Sequence, residues 1–204
     1  MFKRVLDLSF LIIGVGILLP AFIVIILLVV LFIVIEDGRP VFYTQLRYGE
    51  NNKLFKLYKF RSMIKNAEQT TGAVWASKNN DLRLTKTGRF IRKYAIDEIP
   101  QLINIFKGDI SFVGPRPERP ELYQEFSKSN KNFKQRLNAP QGLAGLAQLL
   151  GTYDTIPRNK LRYDLLYINN QSALLDIKII ILSVLVTVIG NWQTDSRKWI
   201  RKFI

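Results

Sequence analysis

The sequence contains no cysteine and no histidine among its 204 residues. The absence of cysteine excludes disulfide bonds and thiolate chemistry, and it fits a reducing compartment. The absence of histidine excludes imidazole as a general base or a metal ligand, so catalysis would need carboxylates, Lys, Arg, Tyr, hydroxyls or the backbone. A metal site would then have oxygen ligands, which favour Mg²⁺ over Zn²⁺.

Negative charge is also scarce, because 16 Asp and Glu residues stand against 30 Lys and Arg residues and leave a formal charge of +14. This charge favours anionic partners, namely lipid head groups, phosphorylated substrates or nucleic acid. The sequence has no evident DNA-reading helix and no aromatic RNA-binding motif. Nucleic acid is therefore not predicted as a partner.

The N-terminal region has no formal charge from Leu8 to Ile35, a run of 28 residues that are mostly Leu, Ile, Val and Phe. About 20 such residues suffice to cross the hydrocarbon core of a bilayer. The run is longer than the apolar part of a signal peptide, and no small-residue cleavage site follows it. It is therefore predicted to be a membrane segment.

Pro20 lies near the middle of this segment and leaves two topologies open. Proline removes one helical hydrogen bond and displaces the preceding turn, so a kink or a re-entrant hairpin is an alternative to a straight, tilted span. Lys3 and Arg4 precede the segment and a basic region follows it. A straight span would export one positive end, whereas a hairpin keeps both inside. The residues alone do not choose between them.

The rest of the chain is predicted to be mostly helical with one β-hairpin, since two aromatic-rich and branched stretches flank the turn-prone "GENN". Helices are expected to begin at "RPELYQEF" and to run from Lys160 to Ile168. The charge-free stretch Ile179–Gly190 is too short for a span and suits a buried or interfacial helix. Trp192, Trp199 and Phe203 alternate with basic residues, which indicates either a head-group anchor or a solvated tail.

Asp97 and Glu98 are two adjacent carboxylates in "YAIDEIPQLINIF", directly before an apolar helical repeat that Gly108 would end. Helix N-termini favour negative charge, because their backbone N–H groups have no partner within the helix. An Asp N-cap followed by a first-turn Glu is therefore the simplest interpretation of the pair.

Three neighbouring features count against a capping role alone and leave a chemical role open. Arg116 lies between two prolines in "GPRPERP", in a loop that the short helix and "DISFV" would fold back toward the carboxylates, and a guanidinium binds phosphate through two hydrogen bonds. Lys59 and Arg61 share one face of the second strand, although a solvated edge is the simpler interpretation of such a pair. The membrane segment would hold all of these groups near lipid. Together they suit Mg²⁺-dependent phosphoryl transfer, in which an Asp can itself attack phosphorus.

In these motifs the chain resembles the bacterial sugar transferase family, the small monotopic phosphoglycosyl transferases. The matching stretches follow in order: the apolar segment with its proline, "FKLYKFRSM", "AIDEIPQLINIFKGDISFVGPRP", "APQGLAGLAQ" and "LDIKII". The resemblance implies an α+β, mostly helical fold with a re-entrant membrane hairpin at residues 1–36. It implies a cytosolic, membrane-associated catalytic domain at residues 37–204, with a short β-hairpin and interfacial amphipathic helices, on the cytoplasmic face of the bacterial inner membrane.

The resemblance also implies a reaction, the transfer of a sugar 1-phosphate from a UDP-sugar to polyprenyl (undecaprenyl) phosphate with Mg²⁺ and release of UMP. This would be the first membrane step of polysaccharide or glycoconjugate assembly. Asp97 matches the nucleophile that forms a covalent phosphosugar intermediate, and Glu98 its partner; the two are the expected Mg²⁺ ligands. Arg116 matches the phosphate-binding arginine, and Lys59 matches a lysine near the pair. Leu19 departs from the Ser that many members have before the proline. Neither the sugar nor a homodimer is fixed by the resemblance.

Two rival functions stay open on the sequence alone. A non-catalytic basic membrane protein would bind anionic lipid or nucleic acid with a steep salt dependence and would not need its carboxylates. An Mg²⁺-dependent lipid phosphatase with an aspartyl phosphate would share the carboxylate pair but would release inorganic phosphate or free sugar phosphate.

Overall fold

The long apolar run forms the first helix, and the rest of the chain is mostly helical with two small sheets. The computed structural model describes residues 2–67, 81–151, 156–189 and 200. The helices are α1 (Phe2–Asp37), α2 (Lys86–Lys93), α3 (Gln101–Lys107), α4 (Pro120–Ser129), α5 (Leu146–Leu150), α6 (Pro157–Asn169) and α7 (Ala173–Ile189). The strands are β1 (Phe42–Tyr48), β2 (Leu54–Phe60), β3 (Ser111–Val113) and β4 (Gly142–Ala144). Short 3₁₀ helices are formed by Glu50–Asn52, Ile96–Glu98 and Lys131–Asn138.

α1 contains the predicted membrane segment and continues through Pro20 as one helix of 36 residues. Among the described residues it is the one helix long and apolar enough to cross a membrane. Near its start, Leu11 belongs to a buried cluster with Leu57, and near its end Ile33 belongs to another with Phe60. The expected hairpin at the proline is not established by this helix and stays a prediction.

The predicted hairpin is confirmed, since β1 and β2 pair antiparallel across the 3₁₀ turn in "GENN", with Tyr43 opposite Lys59 and Arg47 opposite Phe55. Residues that are directly opposite in an antiparallel pair lie on the same face. Tyr43, Gln45 and Arg47 therefore share a face with Lys59, and hydrogen bonds link the first three in a row.

The basic stretch that follows Asp81 forms α2, whose first turn is held by two side chains that act as oxygen acceptors. Thr85 Oγ1 accepts a hydrogen bond from Gly88 N at 2.8 Å. The Glu36 carboxylate, from the end of α1, accepts from Lys86 N and Thr87 N at 2.6 and 2.8 Å. Side-chain acceptors satisfy the free N–H groups of a first turn. The end of α1 is thereby fixed to the start of α2.

The sequence did not predict a second sheet, in which β3 and β4 pair parallel with Ser111 opposite Gly142 and Val113 opposite Ala144. Backbone hydrogen bonds from Gly114 N to Ala144 O (2.9 Å) and from Gly142 N to Pro115 O (2.8 Å) continue this pairing beyond β3. The loop that follows β3 is thereby anchored at its first residues.

The largest buried cluster lies where α5, α6 and α7 pack on this second sheet, and its members include Val113, Leu149, Tyr167, Ile179 and Val186. The predicted helices at "RPELYQEF" and around Lys160 are confirmed as α4 and α6. α7 buries one apolar face and exposes another. The expected tail anchor of Trp192, Trp199 and Phe203 lies outside the described residues.

We expect Gly142→Ala to destabilise the protein. An added Cβ would lie 2.0 Å from Gly114 N and 2.6 Å from Ala144 O, and both neighbours are backbone atoms that must move together. Such overpacking costs about 1–3 kcal/mol, so the melting temperature in detergent should fall. Gly14→Ala in α1 is the matched control, because nothing lies within 4 Å of its added Cβ. Equal melting temperatures for the two variants would contradict the tight packing of β3 on β4.

Candidate active site

Three separate segments bring four predicted residues together. β2 carries Lys59, the 3₁₀ helix Ile96–Glu98 carries Asp97 and Glu98, and the loop after β3 carries Arg116. Ala95 adopts a left-handed conformation (φ 52°) that ends α2 and turns the chain into the 3₁₀ helix, where Glu98 N donates to Ala95 O at 3.1 Å. α3 and β3 then return the chain to the carboxylates, as the sequence predicted.

Glu98 is held by two cations from different segments. Lys59 Nζ donates to Glu98 Oε1 at 2.6 Å. Arg116 binds both carboxylate oxygens, with Nη1 at 3.3 Å from Oε2 and Nη2 on Oε1. Burial alone would raise the pKa of Glu98, but the charges of Arg116 and Lys59 outweigh it and lower the pKa well below its usual range. Glu98 is therefore ionised and fixed in place at neutral pH.

Asp97 differs from its neighbour in its electrostatics. Its exposed fraction is 4%, and Lys59 Nζ lies 3.6 Å from its Oδ2. Burial raises the pKa of Asp97, Lys59 opposes the rise, and the negative charge of Glu98 adds to it. Two adjacent carboxylates whose environments shift their pKa values in opposite directions are typical of catalytic pairs with separate roles.

The capping interpretation of the carboxylates is wrong. Within the described chain, no side chain caps the 3₁₀ helix Ile96–Glu98 or α3, whose N-cap positions are Ala95 and Pro100. α3 begins at Gln101, three residues after Glu98. The carboxylates thus lie before the helix and contact Lys59 and Arg116.

The solvated-edge interpretation of Lys59 and Arg61 is also wrong, and the two have different partners. Lys59 contacts the carboxylate pair. Arg61 is buried and donates to the carbonyls of Asp37 and Gly38 at 3.0 and 2.6 Å. Arg61 therefore fixes the end of α1 rather than the carboxylates.

Arg92 of α2 is a cation near the site that the sequence did not single out. Its charge opposes the raised pKa of Asp97, and its Nε donates to Ser62 Oγ at 2.8 Å. The sequence did indicate a basic helix shortly before Asp97, and α2 ends four residues before it. Which of its basic side chains points toward Asp97 depends on how α2 packs against Ser62.

The carboxylates of Asp97 and Glu98 are oxygen donors of the kind that Mg²⁺ prefers. Within the described residues no group of three or more His, Cys, Asp or Glu side chains could hold a metal alone. Mg²⁺ sites often use one or two carboxylates and complete the coordination with water and phosphate oxygens. Asp97 and Glu98 would supply those carboxylates.

Comparisons with known proteins agree on one family. A family model described as bacterial sugar transferase matches residues 1–190. The chain is 49% identical over 137 residues to a putative undecaprenyl-phosphate N-acetylgalactosaminyl 1-phosphate transferase of Bacillus subtilis, covering 67% of this chain and 73% of that one.

Two longer relatives match the chain over part of their length. It is 40% identical over 167 residues to the galactosyl transferase CpsE of Streptococcus agalactiae, covering 76% of this chain and 36% of that one. It is 37% identical over 177 residues to the UDP-N-acetylgalactosamine-undecaprenyl-phosphate N-acetylgalactosaminephosphotransferase of Aeromonas hydrophila, covering 84% and 41%. The chain thus spans less than half the length of these two relatives.

We expect Glu98→Gln to destabilise the protein in a pH-dependent way. Folding lowers the pKa of Glu98 from its ordinary value of 4.5. Its ionised form therefore stabilises the protein at pH values above 4.5, and this stabilisation is lost as the pH falls toward the lower pKa of the folded protein. The neutral amide leaves Lys59 and Arg116 without their shared partner, a loss on the order of 3 kcal/mol at pH 7.

Thermal unfolding of both proteins between pH 7 and pH 3 measures this effect. The difference in melting temperature between wild-type protein and Glu98→Gln should be largest at neutral pH and should decrease below about pH 4.5. Glu125→Gln, at an exposed position of α4, is the matched control and should show little gap at any pH. A gap for Glu98→Gln that does not change with pH would contradict the assigned charge state.

Proposed function

This chain belongs to the bacterial sugar transferase family, and from that premise we propose that it transfers a sugar 1-phosphate from a UDP-sugar to undecaprenyl phosphate. The products would be undecaprenyl diphosphate sugar and UMP. The relatives from B. subtilis and A. hydrophila are named for undecaprenyl-phosphate chemistry, and CpsE is named as a galactosyl transferase. The observation that carries the proposal is the geometry of the adjacent carboxylates: Lys59 Nζ lies 3.6 Å from Asp97 Oδ2 and 2.6 Å from Glu98 Oε1, and Arg116 binds Glu98.

In the first half-reaction, an Asp97 carboxylate oxygen attacks the β-phosphorus of the UDP-sugar. The new bond joins Asp97 to the sugar phosphate as an acyl phosphate, and the bond to the bridging oxygen breaks, so UMP leaves with that oxygen and its electron pair. Asp97 must be ionised to attack. Lys59, 3.6 Å from its Oδ2, favours the ionised form and opposes the effect of burial.

In the second half-reaction, a phosphate oxygen of undecaprenyl phosphate attacks the same phosphorus. A phosphoanhydride bond forms, the bond to Asp97 breaks, and the free carboxylate returns. Lys59 and Arg116, which Glu98 holds side by side, would stabilise the negative charge on the phosphoryl oxygens in both steps, because donors fixed in advance need no reorganisation during the reaction.

Mg²⁺ is part of the proposal, with Asp97 and Glu98 as its protein ligands. When bound, the ion would neutralise part of the diphosphate charge. Glu98 already lies against Arg116 and Lys59. The two carboxylates that would hold the ion thus lie next to the two cations that would bind the diphosphate.

We also propose that α1 anchors residues 37–204 to the cytoplasmic face of the inner membrane as a re-entrant hairpin. Polar contacts at both ends of α1 support this arrangement. At the start, Lys3 pairs with Asp176 at 2.6 Å, and Asp7 accepts from Ser111 Oγ at 2.9 Å. At the end, Asp37 pairs with Arg61 at 3.1 Å. A straight span would place one of these ends across the membrane from its partners.

The apolar contacts of α1 support the same arrangement. On a straight helix, Leu11 and Ile33 would lie about 33 Å apart. Their respective cluster partners Leu57 and Phe60 are neighbours on β2, only about 10 Å apart along the strand. The middle of α1, from Ile12 to Leu28, exposes most of its large side chains. A bend at Pro20 would bring both ends back to β2 and leave the middle in lipid.

The covalent mechanism predicts that Asp97→Asn abolishes UMP release while the protein stays in the membrane. The amide cannot attack phosphorus, whereas its size and position are nearly unchanged. Purified protein with Mg²⁺ and a panel of UDP-sugars would be assayed for UMP. Mass spectrometry of wild-type protein should detect a phosphosugar on Asp97 when undecaprenyl phosphate is withheld.

The matched control is Glu125→Gln, an exposed carboxylate of α4, which should leave the rate unchanged. EDTA should stop the reaction and added Mg²⁺ should restore it. Undiminished turnover by Asp97→Asn would remove the covalent step. Release of inorganic phosphate or free sugar phosphate instead of transfer to lipid would indicate a phosphatase.

The hairpin predicts that both ends of α1 face the cytoplasm. Because the chain has no cysteine, single variants Phe2→Cys and Arg39→Cys can be labelled without background. A membrane-impermeant maleimide should label both in inside-out vesicles and neither in spheroplasts. Lys131→Cys, at an exposed position at the start of the 3₁₀ helix Lys131–Asn138, is the control for the side of the membrane on which residues 37–204 lie. Labelling of Phe2→Cys in spheroplasts would favour a straight span.

A further inference from the structure

The loop that carries Arg116 has an unusual set of backbone contacts. Pro115, Pro117 and Pro120 have no N–H group, so this loop has few amides with which to pair. Its carbonyls are its main backbone attachment points. Four consecutive carbonyls, those of residues 115 to 118, each accept a hydrogen bond from a different residue elsewhere in the chain.

The four donors come from three directions. Gly142 N of β4 donates to Pro115 O at 2.8 Å, and Tyr48 N at the end of β1 donates to Glu118 O at 3.0 Å. The two central carbonyls have side-chain donors. Arg136 Nη2 donates to Arg116 O at 2.8 Å, and Arg47 Nη1 donates to Pro117 O at 3.0 Å.

The donor Arg136 is itself held by carboxylates. It is fully buried, its Nε and Nη2 lie 2.9 and 2.8 Å from Asp164 Oδ2, and its Nη1 lies 3.3 Å from Glu118 Oε1. Burial would raise the pKa of Glu118, but the charges of Lys160 and Arg136 lower it to about 2. Glu118 is therefore ionised at neutral pH.

The donor Arg47 is fixed by β1 and by its neighbour. Its Nη2 donates to Gln45 Oε1 at 2.6 Å while its Nη1 reaches Pro117 O. Burial lowers the pKa of Arg47 to about 10, so it remains protonated at neutral pH. A planar guanidinium can serve two acceptors at once in a fixed geometry, which a lysine ammonium does less well.

We propose that Arg47 and Arg136 are positioning residues that act through Arg116, and this inference rests on the proposed function. They hold the backbone carbonyls of Arg116 and Pro117, and so fix where the Arg116 side chain leaves the loop. The guanidinium nitrogens of Arg116 donate to Glu98. In the proposed reaction, they would also donate to the donor diphosphate. A guanidinium binds phosphate well only when both of its nitrogens are correctly directed. Loss of either positioning arginine would therefore weaken diphosphate binding.

A double-mutant cycle on the affinity for UDP tests this inference, since UDP is the part common to every proposed donor. The variants are Arg47→Met, Arg116→Met and the double variant, titrated with UDP and Mg²⁺ by calorimetry. Arg47→Met should raise Kd by roughly 10- to 100-fold, the range for one hydrogen bond from a charged donor. With Arg116→Met already present, the same change should alter Kd by no more than about twofold.

Arg158→Met, at an exposed position in the first turn of α6, is the matched control and should not change Kd. If Arg47→Met does not fold, the same cycle is run with Arg47→Lys, which keeps the charge but lacks the planar fork that serves both acceptors in a fixed geometry. Equal factors for the Arg47 change in both backgrounds, or no effect of it on wild-type affinity, would overturn the inference. The proposed function fails separately, if wild-type protein releases no UMP from any UDP-sugar.

Discussion

The carboxylate of Glu98 is the point at which three distant segments of the chain meet. Lys59 comes from β2, Arg116 from the loop after β3, and Glu98 from the 3₁₀ helix before α3. Each of the two cations would repel the other if Glu98 were absent, because a pair of like charges in a partly buried site is unfavourable. The position of Asp97 follows from that of Glu98, since the two are adjacent on a short, rigid turn. The geometry of the whole site thus depends on the carboxylate of Glu98. In the proposed reaction, Glu98 itself forms no covalent bond to the substrate.

Two helices, α1 and α3, expose apolar side chains that a water-soluble protein would bury. Phe106 of α3 is 66% exposed and Ile103 is 49% exposed, while Asn104 in the same helix is fully buried. Asn104 accepts from Tyr58 N at 3.0 Å and donates to Lys56 O at 2.7 Å. α3 therefore uses a polar side chain to attach to β2 and leaves apolar side chains outside. Large exposed apolar surfaces mark contacts with a partner or with lipid, and the exposed middle of α1 belongs to the same class.

The sequence predicted those parts of the fold that depend on local chemistry. The turn-prone "GENN" placed the hairpin, Pro120 placed the start of α4, and Gly108 ends α3 with a left-handed φ of 83°. It did not predict β3 and β4, because three residues each are too few for a periodic pattern and the two strands are far apart in the chain. The apolar repeat of α3 was found, but in a membrane protein such a repeat does not by itself identify the buried face.

The candidate site was predictable to the same extent. Asp97, Glu98, Arg116 and Lys59 are identifiable because each stands in a distinctive local motif, and the structure brings all four together. Arg136 and Asp164 have no such motif. They are 28 residues apart, and the sequence around each one predicts only a charged side chain exposed to solvent. Their pairing depends on how the 3₁₀ helix Lys131–Asn138 packs against α6, which no local spacing encodes.

The balance of charge around the site indicates what it is suited to receive. Near Asp97 and Glu98 the described residues include three cations, Lys59, Arg92 and Arg116. The cations around the carboxylates of Glu118 and Asp164 include Lys160, Arg136 and Arg47. The first cluster has these three cations beside two carboxylates, whereas Arg136 and Lys160 in the second cluster are paired with its own carboxylates. In the proposed reaction, an incoming diphosphate would bring further negative charge to Lys59 and Arg116 in the first cluster. Without a bound UDP-sugar, the charges of Lys59 and Arg116 are balanced by the carboxylate of Glu98, which contacts both.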